Sequence, residues 1–226
     1  MKRNIFYLLF AILLSACQQE ELPSTDGVGY LSLENITVQA ANIENIVTRA
    51  VDKGLYVKID DGAPYPPGAD LTEIAIEAGT HTIEAYNAAY TEFLGWTNED
   101  LGSSVYYCKE DFEIEADGVK YVNMEVPMTN FGVRLSLPED FSSYFNSLND
   151  FSVTVGNRTV SLKDGETAYF PYSAGVSVNY TLSVTNKDNE PHESKGNSST
   201  WGTTLESGTV YVITYDYATR TLVLQP

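Results

Sequence analysis

The feature that most constrains the fold is a succession of short segments in which apolar and polar residues alternate, each bounded by turn-forming residues. Alternation with a period of two indicates half-buried β-strands, and helical spacing is almost absent after residue 28. Tyr, Val, Thr, Ile and Phe, which suit a pleated surface, are abundant in these segments. The predicted strands cover residues 29–38, 55–59, 72–76, 79–86, 104–114, 120–126, 131–137, 152–155, 158–162, 168–171, 177–185, 208–215 and 221–224. We therefore predict an all-β protein with one short helix at 139–148.

The best internal boundary lies near Pro127-Met128-Thr129. Each side holds about 100 residues and six or seven short strands, a pattern typical of a β-sandwich. Segments 78–86 and 207–215 both begin with a small residue, Gly and Thr before an alternating run. We therefore predict two β-sandwich domains in tandem, at 28–128 and 129–226.

The first residues have the composition of an export signal. Lys2 and Arg3 precede an uncharged apolar run at 5–14, which is too short to span a bilayer as a helix. The next residues read Leu-Ser-Ala-Cys and end at Cys17, which resembles the lipobox of bacterial lipoproteins. An ordinary secretory signal with an incidental cysteine is the alternative.

The lipobox resemblance implies a signal peptide at 1–16, cleaved between Ala16 and Cys17. The thiol of Cys17 would then carry the lipid, followed by a linker at 17–27. Each buried methylene of a lipid chain contributes roughly 0.8 kcal/mol, so several chains on one residue hold a protein stably on a membrane. The expected partner of this end of the chain is the outer membrane.

The residues after Cys17 carry a second localisation signal. They read Gln-Gln-Glu-Glu over 18–21, which resembles the surface-export signal of Bacteroidetes lipoproteins. We expect a lipid-anchored protein of the outer membrane, displayed on the cell surface. A solvated acidic linker on a periplasm-facing lipoprotein is the alternative.

The net charge of −18 limits the partners. The leader contributes the positive charges of Lys2 and Arg3, so the chain without it is near −20. Such a chain is not expected to bind nucleic acid or anionic lipid headgroups. If Cys17 carries lipid, Cys108 is left unpaired, and we expect it to be a buried core thiol because it lies in a strand-like run.

The sequence predicts no enzyme, metal site or cofactor. His81 and His192 are its only histidines, and no nucleophile elbow, zinc-binding motif or phosphate loop occurs. Two tryptophans are candidate ligand contacts because an indole ring can stack on a sugar. Trp96 follows Phe-Leu-Gly, and Trp201 lies in a polar loop at 196–202, where it could equally fold back and cap the sandwich.

Residues 47–50 read Val-Thr-Arg-Ala and follow the first predicted strand. A lipobox, a strand, this segment around Arg49 and then tandem sandwiches resemble the fimbrillins, the type V pilus subunits of Bacteroidales. The resemblance implies transthyretin-like, fimbrillin-like domains and cleavage between Arg49 and Ala50 by an arginine-specific protease. Loss of the first strand would open a groove that a strand of another pilin subunit fills. A protease-sensitive loop without consequence is the alternative.

A broader resemblance covers nearly the whole chain after the leader. Segments 29–33, 76–82 and 130–133 are similar to those of a Bacteroidales lipoprotein family of uncharacterised function. The sequence therefore predicts a non-enzymatic surface lipoprotein, a fimbrillin-like pilus or adhesion component. Its C-terminal hairpin, 210–217 with 221–224, is a candidate donor. A monomeric lipoprotein that binds glycans is the alternative function.

Overall fold

The computed structural model describes residues 27–39, 54–202, 204–216 and 221–225, and every structural statement below refers to these residues. The all-β prediction is confirmed, since the helices comprise only two short segments and two 3₁₀ turns. The strands are β1 Val28–Gln39, β2 Leu55–Ile59, β3 Ile74–Glu77, β4 Gly79–Asn87, β5 Tyr107–Ile114, β6 Val119–Pro127, β7 Phe131–Leu135, β8 Phe145–Val155, β9 Arg158–Ser161, β10 Thr167–Phe170, β11 Asn179–Asn186, β12 Pro191–Asn197, β13 Val210–Asp216 and β14 Thr221–Gln225. The helices are α1 Ala88–Glu92 and α2 Phe141–Tyr144, and the 3₁₀ turns are Phe93–Gly95 and Ser198–Trp201.

The strands form four sheets, two in each half of the chain. Strands β1 to β6, the N-half, form the sheets β3-β1-β6 and β2-β4-β5. Strands β7 to β14, the C-half, form the sheets β10-β7-β13-β14 and β12-β11-β8-β9. Most neighbours are antiparallel, but β1 pairs parallel with β6 and β7 pairs parallel with β13.

The strands bury alternate residues, as the period-two pattern requires. In β6, Val122, Met124 and Val126 are buried while the residues between them are exposed. The buried residues form two clusters, one lined by both sheets of the N-half and one by both sheets of the C-half. The clusters divide between Val126 and Phe131, close to the predicted boundary; the two autonomous domains stay a prediction.

The two halves have equivalent topologies. Strands β1 to β6 correspond in order to β7, β8, β10, β11, β12 and β13, while β9 and β14 are additions of the C-half. The sequence echo between 78–86 and 207–215 does not follow this correspondence. Its two segments form β4 and β13, which occupy non-equivalent places.

The predicted helix at 139–148 is wrong beyond its first turn. Phe141, Phe145 and Leu148 have helical spacing, but α2 ends at Tyr144 and β8 starts at Phe145. Strand β8 continues past Leu148 because it pairs along its length with β11, across two register shifts. Cross-strand pairing therefore overrides the local helical pattern.

Candidate functional site

The first strand occupies the centre of a sheet. Strand β1 lies between β3 and β6 and pairs with β6 from Tyr30–Val119 to Gln39–Pro127, with one register shift between Leu33 and Asn35. Its side chains Leu31, Leu33 and Ile36 are buried in the N-half cluster. Each such side chain contributes roughly 1.5–3 kcal/mol when fully buried. Removal of β1 would therefore open an apolar groove with unpaired backbone on both sides.

The residues predicted to be processed lie outside the described part of the chain. These are Ala16 and Cys17 at the signal-peptidase site, and Arg49 and Ala50 between β1 and β2. None of the described helices is long and apolar enough to cross a bilayer.

The C-terminal strands form the predicted hairpin, but they differ in their accessibility. Strand β13 lies between β7 and β14, and buries Tyr211, Ile213 and Tyr215. Strand β14 lies at the edge of the sheet and, among the described strands, pairs with β13 alone. Release of β13 would separate β14 from β7 and β10, whereas release of β14 would leave the other three strands of the sheet paired.

A long connection links β4 to β5 and reaches the C-half. It covers residues 88–106, whereas the equivalent connection between β11 and β12 covers only 187–190. It contains α1 and the 3₁₀ turn Phe93–Gly95, and residues 96–106 lie outside the helices and strands. An aromatic chain attaches this insertion to the sheet, since Tyr90 stacks on Tyr107 at 4.3 Å and contacts Phe93 at 6.0 Å between ring centroids.

Arg158, the first residue of β9, holds the insertion against the C-half. Its Nε donates to the Thr97 carbonyl at 3.0 Å, and its Nη1 donates to the Tyr169 carbonyl at 2.5 Å. Its Nη2 donates to the Asp100 carbonyl. The guanidinium also lies 4.8 Å from the ring centroid of Phe170, within the range of a cation–π contact. We call this arrangement the Arg158 clasp.

Backbone hydrogen bonds extend the Arg158 clasp along two sheet edges. The Glu99 N–H donates to the Thr159 carbonyl at 3.0 Å, which covers the edge of β9. The Tyr169 N–H donates to the Leu101 carbonyl at 2.8 Å, which covers the edge of β10. The insertion of the N-half therefore closes one open side of the C-half sandwich.

Asn130 fixes the chain between the two halves. Only 1% of its surface is exposed. Its Oδ1 accepts from the Val105 N–H at 2.9 Å, and its Nδ2 donates to the Ser103 carbonyl at 2.9 Å. Its own carbonyl accepts from the Gly208 N–H at 2.8 Å. The residue thus bonds to both halves, next to the predicted boundary.

A groove of about 430 Å³ lies at this junction, and we call it the junction groove. Its lining residues come from the insertion, the β8–β9 turn and the end of β10: Phe93, Leu94, Trp96, Thr97, Asn98, Val155, Asn157, Arg158 and Pro171. It therefore combines an apolar wall with two amides and one buried guanidinium.

Trp96 and Trp201, the two predicted ligand contacts, differ in what the structure describes of them. Trp96 lines the junction groove, but Gly102 packs against its ring so closely that a Cβ there would lie 2.7 Å from Cζ3. Arg158 lies over the same ring at 5.4 Å from its centroid. The ring of Trp96 is therefore held in place between Gly102 and Arg158 and forms part of the groove wall. Trp201 ends a 3₁₀ turn, and its side chain lies outside the description, so its ligand contact stays a prediction.

His81 joins β4 to the turn after β2. Its Nδ1 lies 2.7 Å from Asp60 Oδ2, and its Nε2 lies 2.7 Å from the Glu77 carbonyl. Both ring nitrogens thus face acceptors, and only the imidazolium can donate to both. Burial lowers the pKa of His81, but the hydrogen bonds to Asp60 and Glu77 outweigh it and raise the pKa above its usual value. The His81–Asp60 pair therefore has a structural role, since it links β4 to the turn after β2.

Cys108, predicted to be a buried core thiol, packs against the N-half cluster, but it is only half-buried, at the margin of that cluster. Burial raises the pKa of its thiol, and the carboxylate of Glu110 adds to this. The thiol is thus held protonated, unlike a reactive cysteine. Within the described ranges, no three His, Cys, Asp or Glu side chains gather where they could hold a metal ion.

Sequence reasoning missed Arg158, which has a recognisable signal. Arg158 and Val160 occupy the inward positions of β9, where an alternating strand normally places apolar residues. A charged residue at such a position indicates either a register error or a buried polar network.

Comparisons with known proteins agree with this fold. The family model described as "Domain of unknown function (DUF4493)" matches residues 27–223. A solved structure from Bacteroides uniformis, a "putative cell adhesion protein", is 12% identical and has a TM-score of 0.50, covering 88% of this chain and 97% of its own. A fimbrial assembly protein from Parabacteroides distasonis is 11% identical, with a TM-score of 0.45 and coverage of 88% and 98%. No curated protein matches the sequence. The predicted resemblance to Bacteroidales surface proteins is confirmed at the level of the fold by the Bacteroides uniformis structure.

Proposed function

The chain belongs to the family described as "Domain of unknown function (DUF4493)", and from that premise we propose that it is a fimbrillin-like surface adhesion subunit. In this proposal, cleavage between Arg49 and Ala50 releases β1, and a strand of another subunit takes its place. The observation that carries the proposal is the central position of β1, which buries three aliphatic side chains between β3 and β6.

The geometry of β1 suits strand replacement. A central strand is bonded on both sides, so its loss leaves two rows of unpaired donors and acceptors facing one slot. An incoming strand can satisfy both rows while its alternate side chains refill the pockets of Leu31, Leu33 and Ile36. Strand β14 is one of the two edge strands of its sheet, and its release would leave the other three strands paired.

The proposal includes a location on the cell surface, attached to the outer membrane through lipid on Cys17. Support comes from the lipobox-like segment and from the fold shared with the Bacteroides uniformis protein named for cell adhesion. If Arg49 is cut, residues 17–49 and the lipid separate from the mature subunit. The lipid would then serve export and be removed at assembly.

A second candidate function is glycan binding by an uncleaved monomer. The junction groove supports it, since it has an apolar wall beside amide and guanidinium donors. Sites for small ligands combine such walls with a few polar groups.

The assembly proposal is tested by treating the purified precursor with an arginine-specific protease. We expect a product that starts at Ala50 and forms oligomers, detected by mass spectrometry and size-exclusion chromatography. Arg49→Gln should block both events, and Arg220→Gln, which keeps Arg49, should not.

A synthetic peptide of residues 28–39 sharpens this test, because it should reoccupy the slot of β1 and suppress the oligomers. The proposal fails if Arg49 resists cleavage, or if the cleaved chain stays monomeric after β1 has been removed by mild denaturation and refolding with partner subunits.

A further inference from the structure

We propose that the junction groove binds a pyranose that carries a carboxylate, and that Arg158 recognises the carboxylate. This inference adds a ligand class to the proposed surface function and rests on it only for the presence of an external ligand. It is carried by one juxtaposition, a buried guanidinium without a carboxylate partner in the wall of a groove that is otherwise apolar and amide-lined.

The charge of Arg158 is incompletely compensated. Only 9% of its surface is exposed, and no described Asp or Glu oxygen lies within 4.0 Å of it. Asp100 is near enough to act on the guanidinium through its charge, but its Oδ2 accepts from the Thr97 N–H at 2.7 Å and from the Thr97 hydroxyl at 3.0 Å. Burial of a cation is unfavourable unless it is paired, so an anionic ligand would stabilise this arrangement.

Donor capacity remains on the guanidinium. Arginine carries five N–H groups, and the three carbonyls of the Arg158 clasp take one from each nitrogen. One N–H on each terminal nitrogen is left. Two such donors in one plane match the two oxygens of a carboxylate.

The remaining lining suits a sugar ring. Leu94 is 83% exposed and forms an open apolar rim with Phe93. Asn157, which precedes Arg158 in the chain, also lines the groove, and its amide can bond to hydroxyl groups. The volume of about 430 Å³ falls within the range of small-molecule sites. An apolar ring face with hydroxyls at its edge and one acidic substituent fits this lining better than an aliphatic acid or a bare anion.

The chain around the groove is strongly acidic, with a net charge of −18. Long-range repulsion disfavours polyanions, but it is screened beyond about 10 Å at an ionic strength of 0.1 M. A single carboxylate placed beside Arg158 gains from the local charge while it escapes most of that repulsion. The expected ligand is therefore a sugar with one acidic group, either a uronic acid or a sialic acid.

The test uses matched pairs of probes on the full chain without its leader. Methyl α-glucuronoside is compared with methyl α-glucoside, and 3′-sialyllactose is compared with lactose. Binding is followed by isothermal titration calorimetry and by the indole N–H signals of the two tryptophans in NMR spectra. We expect at least one acid to bind with a Kd below about 10 mM, and at least tenfold more tightly than its neutral counterpart.

Variants at Leu94 test the charge without disturbing the Arg158 clasp, because this side chain is almost fully exposed. Both variants lose the apolar contact of Leu94 and differ from each other in charge, so Leu94→Asp should bind the acid several-fold more weakly than Leu94→Lys, while the two should bind the neutral sugar alike. Val119→Asp, also at an exposed apolar residue but outside the groove, is the matched control and should have a smaller effect than Leu94→Asp.

The proposal is overturned if neither acid binds at about 10 mM, if neutral sugars bind as well as acids, or if Leu94→Asp and Leu94→Lys bind the acid with equal affinity. These outcomes are independent of assembly. A cleaved chain that polymerises without binding acids would refute only this inference. A chain that binds acids without polymerising would refute only the assembly proposal.

Discussion

Replacement of Arg158 by methionine tests whether the Arg158 clasp holds the two halves together. Methionine keeps much of the buried volume but removes all N–H donors, and with them the three hydrogen bonds of the Arg158 clasp. The carbonyls of Thr97 and Asp100 lie in a loop whose side chains are exposed, so water can partly replace their bonds, at about 0.5–1.5 kcal/mol each. The Tyr169 carbonyl lies within β10, and an unsatisfied buried acceptor costs about 1–3 kcal/mol. Relief of guanidinium desolvation offsets part of this loss, so we expect a net loss of about 2–4 kcal/mol.

Urea unfolding followed by tryptophan fluorescence measures this loss, because Trp96 lies beside the guanidinium. Arg158→Lys keeps the charge but cannot reproduce the planar set of donors, so its loss should be intermediate. Lys195→Met, at a residue paired with Glu193 on the surface, is the control and should stay within about 0.5 kcal/mol of the parent. A loss below about 0.5 kcal/mol for Arg158→Met would refute the structural role of the clasp.

Three further predictions follow from single contacts. Because the pKa of His81 is raised, its imidazolium stabilises the fold fully below the ordinary value of 6.5, and this contribution disappears as the pH rises through the higher folded value. Thermal unfolding at a series of pH values should show that loss in the parent and not in His81→Gln. Leu31→Ala should cost about 2–5 kcal/mol in urea unfolding, since Leu31 is fully buried in β1, while Tyr30→Ala beside it should cost less. Gly196→Ala should cost about 1–3 kcal/mol by the same assay, because a Cβ there would lie 2.1 Å from Tyr180 Oη. Gly175→Ser is its comparison: a Cβ there has open space around it, so any loss reports only the strain of a side chain at the positive φ of Gly175.

The alternating strands were predictable because their burial is periodic. Strand β4 was predicted at 79–86 and observed at Gly79–Asn87. Strand β12 was missed because Pro191–Asn197 contains no alternating apolar residues, and its side chains lie exposed or half-buried. It is a strand because it pairs antiparallel with β11, and Gly196 lets the ring of Tyr180 lie across it. Pairing of this kind is a long-range property that a local pattern does not contain.

The junction was harder to predict than the strands. Trp96 was singled out from the sequence, but its neighbours Arg158 and Gly102 come from opposite sides of a contact that forms only when the halves meet. The length of the 88–106 connection was visible in the sequence only as a gap between strands, and the predicted strand at 104–114 shortened it. The role of this connection, which is to cover the edges of β9 and β10, could be recognised only from the sheet order.

Assembly and ligand binding would use separate parts of the molecule. Strand β1 supplies three of the thirteen buried residues of the N-half cluster, and none of the C-half cluster or of the junction groove. The Arg158 clasp and Asn130 lie after Arg49 in the chain, so cleavage there would leave the contacts between the halves in place. A processed subunit would keep its two halves joined, while the position of β1 between β3 and β6 would be open to a strand of another subunit. If both proposals hold, each subunit of a polymer would carry its own junction groove, and weak single-site affinities would add up along the fibre through multivalency.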